Sequence, residues 1–348
     1  MNDSMASRWA GTAERSSPPK QTSRFGRGSI ALALVLLGAT PVWSQAQTLE
    51  PYPSRALKIV VPFGAGSGTD TATRLLAQRL EGGLKQAVVV ENRPGANGAI
   101  ASTAVARANP DGLTLLMGTN STHGANPGLI AKLGYDPVKD FIPVAMIATF
   151  SSFLVVHPSV AARNPAELLA LIKANPKAVT FAAGNTSSLM MGEMFARRSG
   201  ADMLRVPYQS NPLGLTDVIA GRVQVMFPDI ASSIAHVKSG AVRALGVVSL
   251  GGRSTQAPEI PTLGEAGVAD FNFVGWIGIF VPAGTPEPIV KRLGDEVERL
   301  VKTAEISQRL QQLGADPRWM GPQEFGPFVR NEVERLPRLL QSMGVQPQ

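Results

Sequence analysis

Apolar residues along this chain fall into two alternating spacings. Short runs rich in β-branched residues, such as Leu57-Lys58-Ile59-Val60-Val61, have the length and composition of buried strands. Between them, apolar positions recur three and four residues apart, as at Ala72, Leu75, Leu76 and Leu80, which predicts a helix stopped by Gly82-Gly83. Residues 87–91 read as a second strand. Asn92-Arg93-Pro94-Gly95 then turns into a small-residue helix running to Ala108, and Asn109-Pro110-Asp111-Gly112 turns again into a strand at 113–117. The order βαβαβ implies a largely parallel sheet with helices on both faces.

A second series of the same kind begins after Val155-Val156-His157-Pro158. Asn164 caps and Pro165 starts a helix reaching Ala174. The strand at 179–183 runs through a polar loop, 184–188, into a helix carrying Leu189, Met190, Met194 and Phe195; further strands are predicted at 204–208, 223–227 and 244–248. The character then changes, with a long apolar strand at 273–282 and amphipathic helices after Pro286. No third sheet is predicted for those helices, so they are expected to cover the first lobe. The chain would thus cross between two α/β lobes twice, near 148–156 and near 273–281, and two crossings make a hinge. The expected boundaries are 47–149 for the first part of lobe 1, 150–273 for lobe 2, and 274–348 for the return to lobe 1.

The N-terminal segment changes the picture of where the protein works. Basic residues ending in Arg24 and Arg27 precede the apolar run 30–37, and Ser44-Gln45-Ala46 places small residues where a signal peptidase cuts, so residues 1–46 are expected to be a cleaved leader to the periplasm. An apolar run of this length is too short to span a bilayer core of roughly 30 Å as a helix. Five basic and two acidic residues belong to that leader, so the formal charge of +7 falls to +4. The remaining basic residues are dispersed and accompanied by few aromatics, which argues against a nucleic-acid groove. With no cysteine there is neither a disulfide nor a thiolate. His123, His157 and His236 have no metal-type spacing and read as surface or internally satisfied residues, so no metal and no cofactor is expected.

The chemistry concentrates in loops that precede helices. The loop 64–70, Gly64-Ala65-Gly66-Ser67-Gly68-Thr69-Asp70, joins a strand to a helix start, where unpaired amides and the helix dipole favour an anion. It lacks the third glycine of a dinucleotide fingerprint, since Thr69 stands there, and the lysine of a phosphate-binding nucleotide loop. The loop 184–188, with Gly184, Asn185, Ser187 and Ser188, is its counterpart in the second lobe, with Ser187 or Ser188 as the expected cap. Thr119-Asn120-Ser121 and Tyr208-Gln209-Ser210 sit at strand ends, where open α/β sheets collect ligand contacts. No Gly-x-Ser-x-Gly elbow is present.

The order Val61-Pro62-Phe63, Ala65-Gly66, Asp70, then Asn92-Arg93-Pro94-Gly95 and Asn109-Pro110-Asp111-Gly112, closely resembles the Bug-type solute-binding receptors of tripartite tricarboxylate transporters. Val206-Pro207-Tyr208, Pro261-Thr262-Leu263-Gly264-Glu265-Ala266-Gly267 and residues 276–286 resemble the family's second-half signatures. The resemblance implies a two-lobed type II periplasmic-binding-protein fold without catalytic activity. It further implies a receptor that closes on a small carboxylate, a dicarboxylate, an amino acid or an aromatic carboxylate, for the transporter's membrane subunits; a receptor that presents its ligand to a membrane sensor kinase is another reading, and a monomer is expected. Carried over by position, it assigns Phe63, Ala65, Gly66 and Asp70 to the first binding loop, Gly184, Asn185, Ser187 and Ser188 to the second, and Asp229 to a ligand contact. Ser67 and Ala96 replace glycines usual in the family, so ligand preference does not carry over. A secreted α/β enzyme using the first glycine loop is the alternative from another class.

Overall fold

The computed structural model describes residues 52–271 and 273–347; the expected leader lies outside the described residues. Its elements run β1 (Leu57–Val61), α1 (Gly68–Leu84), β2 (Val88–Asn92), α2 (Ala99–Ala106), β3 (Thr114–Thr119), α3 (Asn126–Leu129), β4 (Phe141–Phe150) and β5 (Ser152–Val156). Then follow α4 (Pro165–Ala174), β6 (Thr180–Ala183), α5 (Thr186–Ser199), β7 (Leu204–Pro207), α6 (Asn211–Ile219), β8 (Val225–Met226), α7 (Ile230–Lys238) and β9 (Arg243–Val248). The last are β10 (Gly275–Pro282), α8 (Glu287–Val301), α9 (Ala304–Gln312), β11 (Ala315–Met320) and α10 (Pro322–Ser342).

These strands form two sheets, of order β11-β4-β10-β3-β1-β2 and β7-β6-β8-β5-β9. Side chains alternate between faces with the period of two that a strand imposes. In β1, Leu57, Ile59 and Val61 enter one core while Val60 enters another. In β5, Leu154 and Val156 face one core of the second sheet and Phe153 and Val155 the other. Both sheets are therefore covered on both faces, which explains why their strands read as nearly continuous apolar runs.

Three features depart from the sequence expectation. Only β2-β1-β3 is parallel in the first sheet; β10 runs antiparallel to β3 and β4, and β11 antiparallel to β4. The sheet is mixed because the returning chain inserts β10 in its middle. β11 was not anticipated, since its polar Asp316-Pro317-Arg318 sequence lacks a strand pattern; it occupies the sheet edge, where a proline without an N–H is tolerated. The terminal helices do not all stay on the first sheet. α10, about 31 Å long at 1.5 Å per residue, buries Leu336 and Leu340, with Met343 just beyond its end, in the core shared with Phe181 of β6 and Phe195 of α5.

The two connections between sheets run side by side. β4 ends at Phe150, β5 begins at Ser152, and Gly275 at the start of β10 pairs with Phe150. Among the described residues no helix is long and apolar enough to cross a membrane.

Candidate functional site

The first loop is held by its own polar residues. Ser67 is the N-cap of α1, its Oγ accepting from the Asp70 amide at 3.2 Å. The Asp70 carboxylate turns back to accept from the Gly66 amide (2.9 Å), Arg74 Nε (3.1 Å) and Asn92 Nδ2 (2.9 Å). With the Asp70 amide taken by Ser67, the amides of Gly68 and Thr69 are first-turn donors with no helical acceptor.

In the second sheet, α5 begins with a capping box. Asn185 Oδ1 accepts from the Ser188 amide at 2.9 Å, and Ser188 Oγ accepts from the amides of Gly184 and Asn185 at 3.0 and 3.2 Å. The cap is Asn185 rather than the Ser187 or Ser188 that the sequence suggested, because an extended Asn185 reaches the third helical amide. Ser187, not needed for the cap, faces the first half of the molecule, where its Oγ accepts from Asn120. α6 starts at Asn211, and α7 is capped by Asp229, whose Oδ1 accepts from the Ser232 amide at 2.9 Å.

These four helix starts surround one partly open cavity of about 30 Å³, room for one or two waters. Gly68 and Thr69, Asn185 and Ser187, Asn211, and Asp229 all line it. Phe63, Thr119, Asn120 and Ser121 complete the wall on one side. Phe150, Ser152, Gly275, Trp276 and Ile277 close it along the two inter-sheet connections. No lysine, arginine or histidine is in this wall, and Asp229 is its one carboxylate.

The two halves are drawn together across the cavity. Asn97 Nδ2 donates to Thr186 Oγ1 at 2.8 Å, the Thr186 amide to Ser121 Oγ at 3.1 Å, and Asn120 Nδ2 to Ser187 Oγ at 3.2 Å. Glycine permits the approach at two points. A Cβ on Gly68 would stand 2.9 Å from Asp229 Oδ1 and 3.2 Å from Phe150 Cε1, and one on Gly275 would stand 2.6 Å from Ser187 Oγ.

The structure therefore brings Phe63, Thr69, Thr119, Asn120, Asn185, Ser187 and Asp229 of the sequence candidates to one cavity and places the others elsewhere. Ala65 and Gly66 are exposed on the outer turn of the loop. Ser67 and Asp70 are buried but spent on holding that loop. Gly184 lies where a Cβ would meet the backbone of Ser210 and Asn211 at 2.4 Å, and Ser188 is consumed by the capping box. Tyr208 donates its hydroxyl to Asp217 at 2.7 Å, and its ring lines a separate groove; burial and the Asp217 carboxylate push the hydroxyl up to about 12.

Asn211 and the connection residues were missed. Ser210-Asn211-Pro212 carries the same cap-then-proline signal as Asn164-Pro165, so Asn211 was legible as a helix start. Phe150 and Gly275 become neighbours only through the pairing of β4 with β10.

His123 also departs from expectation. It lies in a wide turn, Ser121–Ala125, closed by an Ala125 amide to Asn120 carbonyl bond of 2.9 Å, five residues apart. Its ring stacks on Phe280 at 3.8 Å, Nδ1 meets Thr122 Oγ1 at 2.9 Å, and Nε2 has no partner among the described residues. Complete burial drives its pKa down to about 3, so the imidazole is neutral. Among the described residues no group of three His, Cys, Asp or Glu could hold a metal ion.

A model of the tripartite tricarboxylate transporter family receptor matches residues 72–345. A UPF0065 protein from the tcbD-tcbE intergenic region of Pseudomonas sp. (strain P51) is 34% identical over 327 residues, covering 91% of this chain and 95% of that one. Among solved structures, R. palustris Rpa4515 with adipate superposes with a TM-score of 0.82 at 30% identity, covering 85% of this chain and all of the other. The periplasmic binding protein BugD superposes with a TM-score of 0.80, also at 30% identity, with the same coverage. The two-lobed type II periplasmic-binding-protein fold expected from the sequence is the fold observed.

Proposed function

This chain belongs to the tripartite tricarboxylate transporter receptor family, and from that membership we propose that it is a periplasmic receptor that captures a small organic carboxylate without transforming it. The acid is passed to the membrane subunits of a tripartite transporter. The observation that carries this reading is the pairing of helix starts. The amides of Gly68 and Thr69 at the start of α1, and the start of α5 at Ser187, border one cavity whose wall holds no basic side chain. Unpaired amides at the positive end of a helix dipole are suited to an anion, and closure of the halves over it would lower the local dielectric and strengthen the attraction. That the Rpa4515 structure holds adipate supports a carboxylate as the ligand here. The periplasmic location rests on the leader, residues 1–46, and on kinship with BugD, a periplasmic binding protein.

Entry requires the halves to part, and the adjacent connections at Phe150–Ser152 and Phe273–Gly275 supply the hinge. With the Asn97–Thr186, Ser121–Thr186 and Asn120–Ser187 bonds made the cavity has room for only one or two waters, so a captured acid is held with the halves closed less fully than in this structure. A thermal-shift screen of the mature protein against mono- and dicarboxylates, aromatic acids and dinucleotides tests the proposal. A carboxylate present at a hundred times its dissociation constant adds about 2.7 kcal/mol of stability. Stabilisation by dinucleotides and by no carboxylate would favour the enzyme alternative and overturn the receptor reading.

A further inference from the structure

We propose that the acid this cavity takes carries a hydrogen-bond donor beside its carboxylate, as a hydroxy or amino acid does, and that Asn211 and Asp229 read that donor. The inference rests on the receptor reading and narrows its ligand class. Asn211 is 3% exposed and forms part of the cavity wall. Its Nδ2 donates to Asp229 Oδ2 at 3.0 Å, whereas its Oδ1 is buried and has no partner among the described residues. The orientation of this amide is settled by chemistry. Turning it over would set Oδ1 against a carboxylate oxygen, two acceptors facing each other, and would waste both amide hydrogens. The carbonyl end is therefore the end left for the ligand.

Asp229 adds to the same polarity. It is 7% exposed and lines the cavity beside Asn211. Oδ1 accepts from the Ser232 amide and Oδ2 from Asn211, which leaves lone pairs on both oxygens. The hydroxyls of Thr119, Ser121, Ser152 and Ser187 can serve either role, but Asn211 Oδ1 and the Asp229 carboxylate only accept. A ligand made of carboxylates and methylenes satisfies the helix-start amides and leaves these acceptors buried against CH₂ groups. A hydroxyl or ammonium satisfies both ends. Sites built to bond a polar substituent reject the analogue that lacks it far more strongly than apolar pockets reject a missing methylene.

The test is isothermal titration of the mature protein with matched sets of acids. These are propionate, lactate and alanine; succinate, malate and aspartate; glutarate, 2-hydroxyglutarate and glutamate; benzoate, 2-hydroxybenzoate and 2-aminobenzoate. In the set that binds, the donor-bearing member should bind at least about tenfold more tightly than its parent acid. Asn211→Leu, close to Asn in size and without the acceptor, should reduce that ratio towards one, with circular dichroism and melting confirming a folded protein. Parent and donor-bearing acids binding equally, or a ratio unchanged in Asn211→Leu, would overturn the assignment while leaving the receptor reading intact. Binding of no acid in any set would overturn the receptor reading and this assignment with it.

Discussion

Asp70 is buried, yet its carboxylate faces the loop's own amide and two neighbouring side chains rather than the cavity. At the residue scale this division of labour recurs. Ser67, Asp70, Asn185 and Ser188 build the loops, and the residues left between them, Gly68, Thr69 and Ser187, line the cavity together with Asn185. The sequence made both loops legible because strand-to-helix turns with capping residues are local chemistry. It did not separate builders from presenters, since that depends on which amide each cap takes. His123 carries the clearest consequence for stability. Its ordinary pKa of 6.5 applies in the unfolded chain, and burial lowers the folded value to about 3. Below pH 6.5 the unfolded state takes up a proton that the folded state refuses, so stability falls as pH drops towards 3, by about 1.4 kcal/mol per pH unit. Chemical denaturation at pH 7 and pH 5 should therefore show the native protein losing about 2 kcal/mol more than His123→Leu does. Equal losses in the two proteins would contradict the burial assignment.

At the scale of elements, the cavity is defined by helices that each begin where a strand of one sheet or the other ends. The start of α1 meets the cap of α7 so closely that only a hydrogen fits on Gly68. Alanine is a better helix former than glycine, so Gly68→Ala is expected to leave the fold of α1 undisturbed. Its methyl group would instead meet Asp229 and Phe150 and keep the halves from closing. The unliganded melting temperature should stay within a few degrees of the native value, while the shift produced by a stabilising acid shrinks to a small fraction. A full ligand-induced shift in Gly68→Ala would show that closure does not bring these two helix starts together. β11 and the wall made by Phe150, Ser152, Gly275, Trp276 and Ile277 were not legible in advance. The polar sequence of β11 carries no strand pattern, and the wall depends on β10 returning between β3 and β4, a pairing across more than a hundred residues that no local pattern encodes.

On the scale of the whole molecule, two sheets, two connections and one long terminal helix define how the halves are joined. The two-lobed order was readable from the repeated strand, polar loop and helix, and the two connections between the sheets from the two long apolar crossings. The bridging by α10 was not, because its amphipathic pattern says which face is buried and not against what. With Leu336 and Leu340 in the second core, Met343 just beyond its end there too, and Phe325 and Val329 in the first, α10 joins both halves. The central claim is that an acid group is neutralised by backbone amides at opposed helix starts, without a basic side chain. It is tested most directly by following amide resonances of the ¹⁵N-labelled mature protein while an acid identified by thermal shift is titrated in. The amides of Gly68, Thr69 and Ser187 should move together, downfield in proton shift, and saturate at one common dissociation constant. Saturable binding that leaves those three unmoved while shifting amides around surface arginines would contradict it.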